Sequence, residues 1–138
     1  MPIRYVLDTN ILSDLLKNPQ GKAAQRISSL SPGDRDLLST SIIVAAELRY
    51  EVAKSGSSVL AQRVDQLLEA IEVLSLEPKA DTHYGRIRAQ LEKSGTPVGG
   101  NDLLIAAHVL AIDAVLVTEN VREFKRAKGL RVENWLRA

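Results

Sequence analysis

Residues 5–12 read YVLDTNIL. Tyr5, Val6 and Leu7 make an apolar run of strand character, and from Ile11 to Lys17 the apolar spacing suits a short helix. Asp8, Thr9 and Asn10 stand at the junction. A carboxylate where a buried strand ends is the first question this chain poses.

The alternation continues outward from that junction. Strand candidates fall at Ile3–Leu7, Leu37–Ser39, Val73–Leu76, Ala114–Val117 and, as an edge strand, Arg131–Glu133. Helical patterns lie between them, over Lys22–Leu30, Ile42–Lys54 with Ser41 as N-cap, Val59–Ile71, Ala80–Lys93 and Leu103–Ile112, with a short turn over Asn120–Arg126. Ser31-Pro32-Gly33 reads as a breaker. No breaker is long enough for an interdomain linker, so residues 1–138 are expected to form a single domain. Alternating strands and helices imply a mainly parallel sheet with helices on both faces. Sheets of that kind bind ligands at the carboxyl ends of their strands, which is where Asp8 sits.

Composition narrows the chemistry. Of 138 residues, 45% are hydrophobic and 25% charged, the profile of a globular domain. The formal net charge of +1 neither favours nor excludes a nucleic-acid partner. With no cysteine, thiolate catalysis, disulfides and Cys-type zinc sites are excluded. No apolar run approaches the ~20 residues of a membrane helix and no signal peptide is visible, so a cytoplasmic location is expected.

Asp8 has company. Glu47 interrupts an apolar helical stretch in VAAELRYE, Asp102 opens an apolar helix in GGNDLLIAAHVLA, and Glu119 and Asn120 follow the buried run VLVT. Taken singly, each has a plain structural explanation: an exposed helix edge for Glu47, a favourable helix-dipole position for Asp102, a cap for Asn120. Taken jointly, they place acids beside several buried segments. Converging carboxylates repel one another, and a divalent cation removes that repulsion. An all-oxygen donor set suits Mg²⁺ or Mn²⁺, and two such ions about 4 Å apart support phosphodiester hydrolysis. His108, inside AAHVLA, reads as a packed helix residue, and His83 as surface.

The stretches YVLDTNIL, TSIIVAAELRYE, PVGGNDLLIAAHVLAIDAVLVTENVREF and GLRVENW together resemble the PIN domain, and more narrowly the VapC-type toxins of bacterial toxin–antitoxin pairs. The likeness runs from Arg4 to about Trp135. It implies a three-layer α/β/α sandwich around a central, mainly parallel sheet of about five strands, and a metal-dependent endoribonuclease activity. The family's three acids map onto Asp8, Glu47 and Asp102, as ligands of one or two Mg²⁺ or Mn²⁺ ions. Its fourth position, often Asp in the wider family, falls at Asn120, which leaves the second ion and any contribution of Glu119 open. Thr9, Asn10, Ser41 and Thr118 are expected to support the site by hydrogen bonds. The implied reaction is attack of a metal-activated water on an RNA phosphodiester, leaving a 5′-phosphate and a 3′-hydroxyl.

Arg122, Lys125 and Arg126 lie in a locally basic segment suited to a phosphate backbone, and Arg49 could reach substrate or pair with Glu51. Aromatic residues are few, which favours a structured RNA, tRNA among relatives, over a stacked single strand. The resemblance also implies a cognate antitoxin, a homodimer and higher-order complexes with the antitoxin. The apolar faces of Ile42–Lys54 and Val59–Ile71 correspond to that docking region. A phosphoacceptor receiver domain lacks its middle-strand Asp and late Lys here, and a haloacid-dehalogenase-type phosphatase lacks its second Asp, since that position is Asn10. The alternative that shares every fold expectation is a non-catalytic PIN-like protein that binds RNA or a partner.

Overall fold

In the computed structural model, which describes residues 2–137, the run Tyr5–Leu7 becomes the central strand β1, with Val6 and Leu7 fully buried. Its neighbours are β2 (Leu38–Ser41) on one side and β4 (Val115–Val117) on the other. β3 (Glu72–Leu74) and β5 (Arg131–Glu133) form the edges, giving the order β3-β2-β1-β4-β5 with every pairing parallel. β1 and β4 carry apolar runs, while the equally buried β2 reads LSTS, its Ser39 and Thr40 hydroxyls donating to the Tyr5 and Leu7 carbonyls of β1.

Eight helices make the connections among the described residues: α1 (Thr9–Lys17), α2 (Lys22–Ser28), α3 (Pro32–Arg35), α4 (Ile42–Ser55), α5 (Ser58–Ala70), α6 (Ala80–Lys93), α7 (Gly100–Ala111) and α8 (Val121–Phe124). Right-handed crossovers put those leaving β1 and β2 on one face and those leaving β3 and β4 on the other, an α/β/α sandwich. The direction of winding reverses between β1 and β4, so a crevice opens beyond their carboxyl ends. α7 is the most deeply set helix: Leu103, Ile105, Ala106, Ala107 and Val109 are all buried. No helix among the described residues is long and apolar enough to cross a membrane.

The differences from the sequence expectation have local causes. α1 starts at Thr9 rather than Ile11, because Asp8 caps it. Ser31-Pro32-Gly33 starts a helix instead of breaking one: Ser31 Oγ accepts from Asp34 N at 3.1 Å and Pro32 occupies the first helical position. β2 runs on to Ser41, and β3 lies at Glu72–Leu74 rather than Val73–Leu76. α7 starts at Gly100, which puts Asp102 in its first turn.

Candidate active site

Asp8 prolongs β1 by donating its N–H to the Val117 carbonyl at 2.9 Å, and it is 4% exposed. Its Oδ1 caps α1 by accepting from Thr9 N at 2.8 Å. Its Oδ2 accepts from the Thr118 hydroxyl at 2.7 Å and from Asn10 Nδ2 at 3.4 Å. Thr118 sits just past β4, the strand paired with β1, so sheet register alone sets it opposite Asp8. Having given its one proton to Asp8, the Thr118 hydroxyl accepts from Asn10 Nδ2 at 3.2 Å and from Asn120 N at 3.0 Å, which uses its full capacity. Asn10 Oδ1 accepts from Glu119 N at 2.9 Å. Thr9, Asn10 and Thr118 thus fix one carboxylate at the sheet's switch point.

The other acids arrive from helices. Glu47 projects from α4, and its Oε1 accepts from the Thr9 hydroxyl at 2.7 Å while Asn101 Nδ2 approaches Oε2 at 3.5 Å. Asp102, next to Asn101, is half-buried in the first turn of α7. Burial, then Glu123, then Asp8 and Glu47, push its carboxyl up to about 7. Burial also raises Asp8, against the hydrogen bonds from Thr118 and Thr9, with Glu47 and Glu123 adding to the rise. Four acids therefore act on one another here: Asp8, Glu47, Asp102 and Glu123.

Glu123 is the member that sequence reading missed. Asn120 Nδ2 donates to Glu123 Oε2, three residues on across the single turn of α8. The i, i+3 spacing was the available signal, but on a short polar turn it does not stand out. Glu119 turns away: its carboxylate lies 3.8 Å from Arg137, and it serves the site through its backbone N–H. Ser41 also departs from expectation. Its hydroxyl caps α4 through Ile43 N at 3.0 Å and meets His108 Nδ1 at 2.7 Å, reaching none of the acids. His108 is a packed residue of α7, 1% exposed, and burial lowers its imidazole from the ordinary value against the pull of the Ser75 backbone and Glu77.

Of the basic residues singled out, Arg49 pairs with Asp65 of α5, not with Glu51 or the site. Arg122, Lys125 and Arg126 are exposed on and just after α8, beside the acids.

Whether this set suits a cation is decided by its donors. Every reachable donor is oxygen, and two carboxyls are raised by burial and like charge, a strain that a hard divalent ion relieves. Among the described residues, no three acidic or histidine side chains are already gathered as a cage. Sharing one ion requires Asp8, Glu47 and Asp102 to turn toward one another from their present hydrogen bonds.

The PIN domain model matches residues 5–130 of the chain. "Ribonuclease VapC1" of Haemophilus influenzae (strain R2866) is 42% identical over 132 residues, 95% of this chain and 97% of the relative. "tRNA(fMet)-specific endonuclease VapC" of Shigella flexneri is 35% identical over 137 residues, 96% of this chain and 98% of the relative. Among solved structures, a chain of VapBC2 from Rickettsia felis bound to a promoter DNA fragment superposes with a TM-score of 0.86 at 34% identity, covering 96% of this chain and 99% of that one.

Proposed function

The chain belongs to the PIN domain family and to its VapC ribonucleases, and from that premise we propose that it is the metal-dependent endoribonuclease toxin of a toxin–antitoxin pair. Its reaction is hydrolysis of an RNA phosphodiester, in tRNA or another structured RNA, and a cognate antitoxin restrains it. The tRNA assignment leans on the name of the Shigella flexneri relative, and the antitoxin on the VapBC complex that the fold matches.

What supports this reading is the nearness of three acids at the sheet's switch point: Thr9 is hydrogen-bonded to Asp8 and to Glu47, and both of those charges act on Asp102. These three carboxylates would hold Mg²⁺ or Mn²⁺. When bound, such an ion polarises the phosphate and lowers the pKa of a water. The chain's own residues orient the carboxylates: Thr118 and Thr9 N–H hold Asp8, and the Thr9 hydroxyl holds Glu47. Asn120 keeps Glu123 beside Asp102, so the fourth family position contributes an acid through its neighbour along α8 rather than by its own side chain.

The test is digestion of total cellular RNA by purified protein in Mg²⁺ or Mn²⁺ and in EDTA, with Asp8→Asn alongside. Discrete cuts that require the metal and vanish in the variant are expected. A variant that cuts as fast as wild type overturns the assignment, and intact RNA with both proteins leaves the non-catalytic binding reading in its place.

A further inference from the structure

We propose that the substrate's phosphate backbone leaves the carboxylate site along a groove between the α1–α2 turn and the C-terminal segment, contacting Lys17, Lys22 and Arg26. The inference rests on the ribonuclease reading and names a substrate track along α1 and α2, apart from Arg122, Lys125 and Arg126.

The groove's inner end is joined to the site through Glu119 and Asn10. Its first part, about 690 Å³, runs between residues 14–22 and the pair Glu119 and Leu136. Glu119 is the residue whose N–H bonds Asn10, and Asn10 contacts Asp8. Asn10, Asp14 and Lys17 follow one another at i, i+4 and i+7 on α1, so one helix face leads from Asp8 outward over about 10 Å. A second part, about 370 Å³, continues past Lys22, Arg26, Trp135 and Arg137 and shares Lys22 with the first.

Its charge suits a polyanion. Lys17, Lys22 and Arg26 are exposed, and none makes an ion pair among the described residues. The Arg26 guanidinium rests over the Trp135 ring at 5.6 Å, which positions it while leaving its N–H donors unspent. The two acids that line the groove have partners of their own. Glu119 faces Arg137, and Asp14 accepts from Asn18 Nδ2 at 2.7 Å with its Oδ2 buried beneath the turn. Gly21 makes the arrangement possible: a Cβ there would stand 2.9 Å from Asn18 Cβ, so only glycine lets the chain double back and set Lys22 beside Lys17. The one aromatic ring present, Trp135, is buried under Arg26, so the groove offers phosphate contacts rather than base stacking.

The experiment uses Asp8→Asn protein, which leaves RNA intact, and bulk tRNA as the probe. In that background K17Q/K22Q/R26Q is compared with K54Q/R88Q/K93Q, which removes equal charge elsewhere. The groove variant should bind roughly tenfold or more weakly, and its slope of log affinity against log salt should shrink by about 2. In otherwise wild-type protein the same three changes should raise KM and spare kcat. Equal losses in both triple variants would show a bulk charge effect and overturn the track. Unchanged binding and cleavage by the groove variant, with wild type still cutting RNA, would overturn the track and leave the ribonuclease reading standing. No cleavage or binding by any protein would overturn both.

Discussion

Asp102 is held near neutrality by its surroundings, and that has a measurable cost in the metal-free protein. Its ordinary value is 3.8 and its folded value about 7. Below the ordinary value the carboxyl is protonated in both folded and unfolded chains and pH has no effect through it. Between about 3.8 and 7 the unfolded chain releases the proton while the fold retains it, so stability falls as pH rises, and the loss is complete above about 7. Asp102→Asn removes the loss. In EDTA at pH 8 the variant should melt above wild type by on the order of a few degrees, and the gap should close near pH 4. Glu123→Gln, which takes away one repelling neighbour, should move the melt the same way by less. Thermal melts followed by circular dichroism decide this, and a wild type that melts higher than Asp102→Asn at pH 8 refutes the account. Mn²⁺ should raise the wild-type melt and leave Asp102→Asn nearly unmoved.

At the scale of elements, the two helices that bring Glu47 and Asp102 are pinned beneath the site by one buried hydrogen bond. Ser41 caps α4 and meets His108 of α7 at 2.7 Å. Ser41→Ala removes the cap and strands a buried imidazole nitrogen, a combined loss of about 2–3 kcal/mol. Urea denaturation should show it as a lower midpoint with an unchanged slope, and a midpoint equal to wild type would refute the pin. Burial lowers the His108 imidazole, so its sign is opposite to that of Asp102. As pH falls through the ordinary histidine value the unfolded chain takes up a proton first, and stability is lost down to the folded value. This pin was legible only in part. Ser41 as a cap followed from a serine before an apolar helical run, but its meeting with residue 108 depends on β2 and α7 packing together. The pattern of readability is general here. β1, β4, α4, α6 and α7 announce themselves by apolar period, and Asp8 by the buried strand it ends. α3 was hidden because Pro32 and Gly33 carry breaker chemistry that Ser31 redirects into a cap. Glu123 and the Arg49–Asp65 pair were hidden because their partners are chosen by fold or by a single polar turn, not by periodicity.

On the scale of the whole molecule, α1 divides two surfaces. One face carries Asn10, Asp14 and Lys17 toward the basic groove. The other carries Thr9, Ser13 and Leu16 into a cleft of about 340 Å³ against α4 and α5, where Leu48, Val52, Leu60 and Val64 make the apolar wall. Thr9 belongs to that cleft and also donates to Glu47 at 2.7 Å. A partner segment seated there therefore sits one hydrogen bond from the carboxylates, and it meets the proposed RNA track only at Lys17, which lines both surfaces. Val59 and Tyr50, 66% and 62% exposed, are large apolar side chains on the same two helices. These features suit an antitoxin that silences the enzyme from the α4–α5 side. Leu60→Asp places a charge in the apolar wall of the cleft. It should weaken capture by the cognate antitoxin roughly tenfold or more, while RNA cleavage by the free protein stays within about twofold of wild type. Titration of cleavage activity with purified antitoxin measures both at once. An antitoxin that inhibits Leu60→Asp as tightly as wild type would place its docking surface elsewhere and detach inhibition from the Thr9–Glu47 contact.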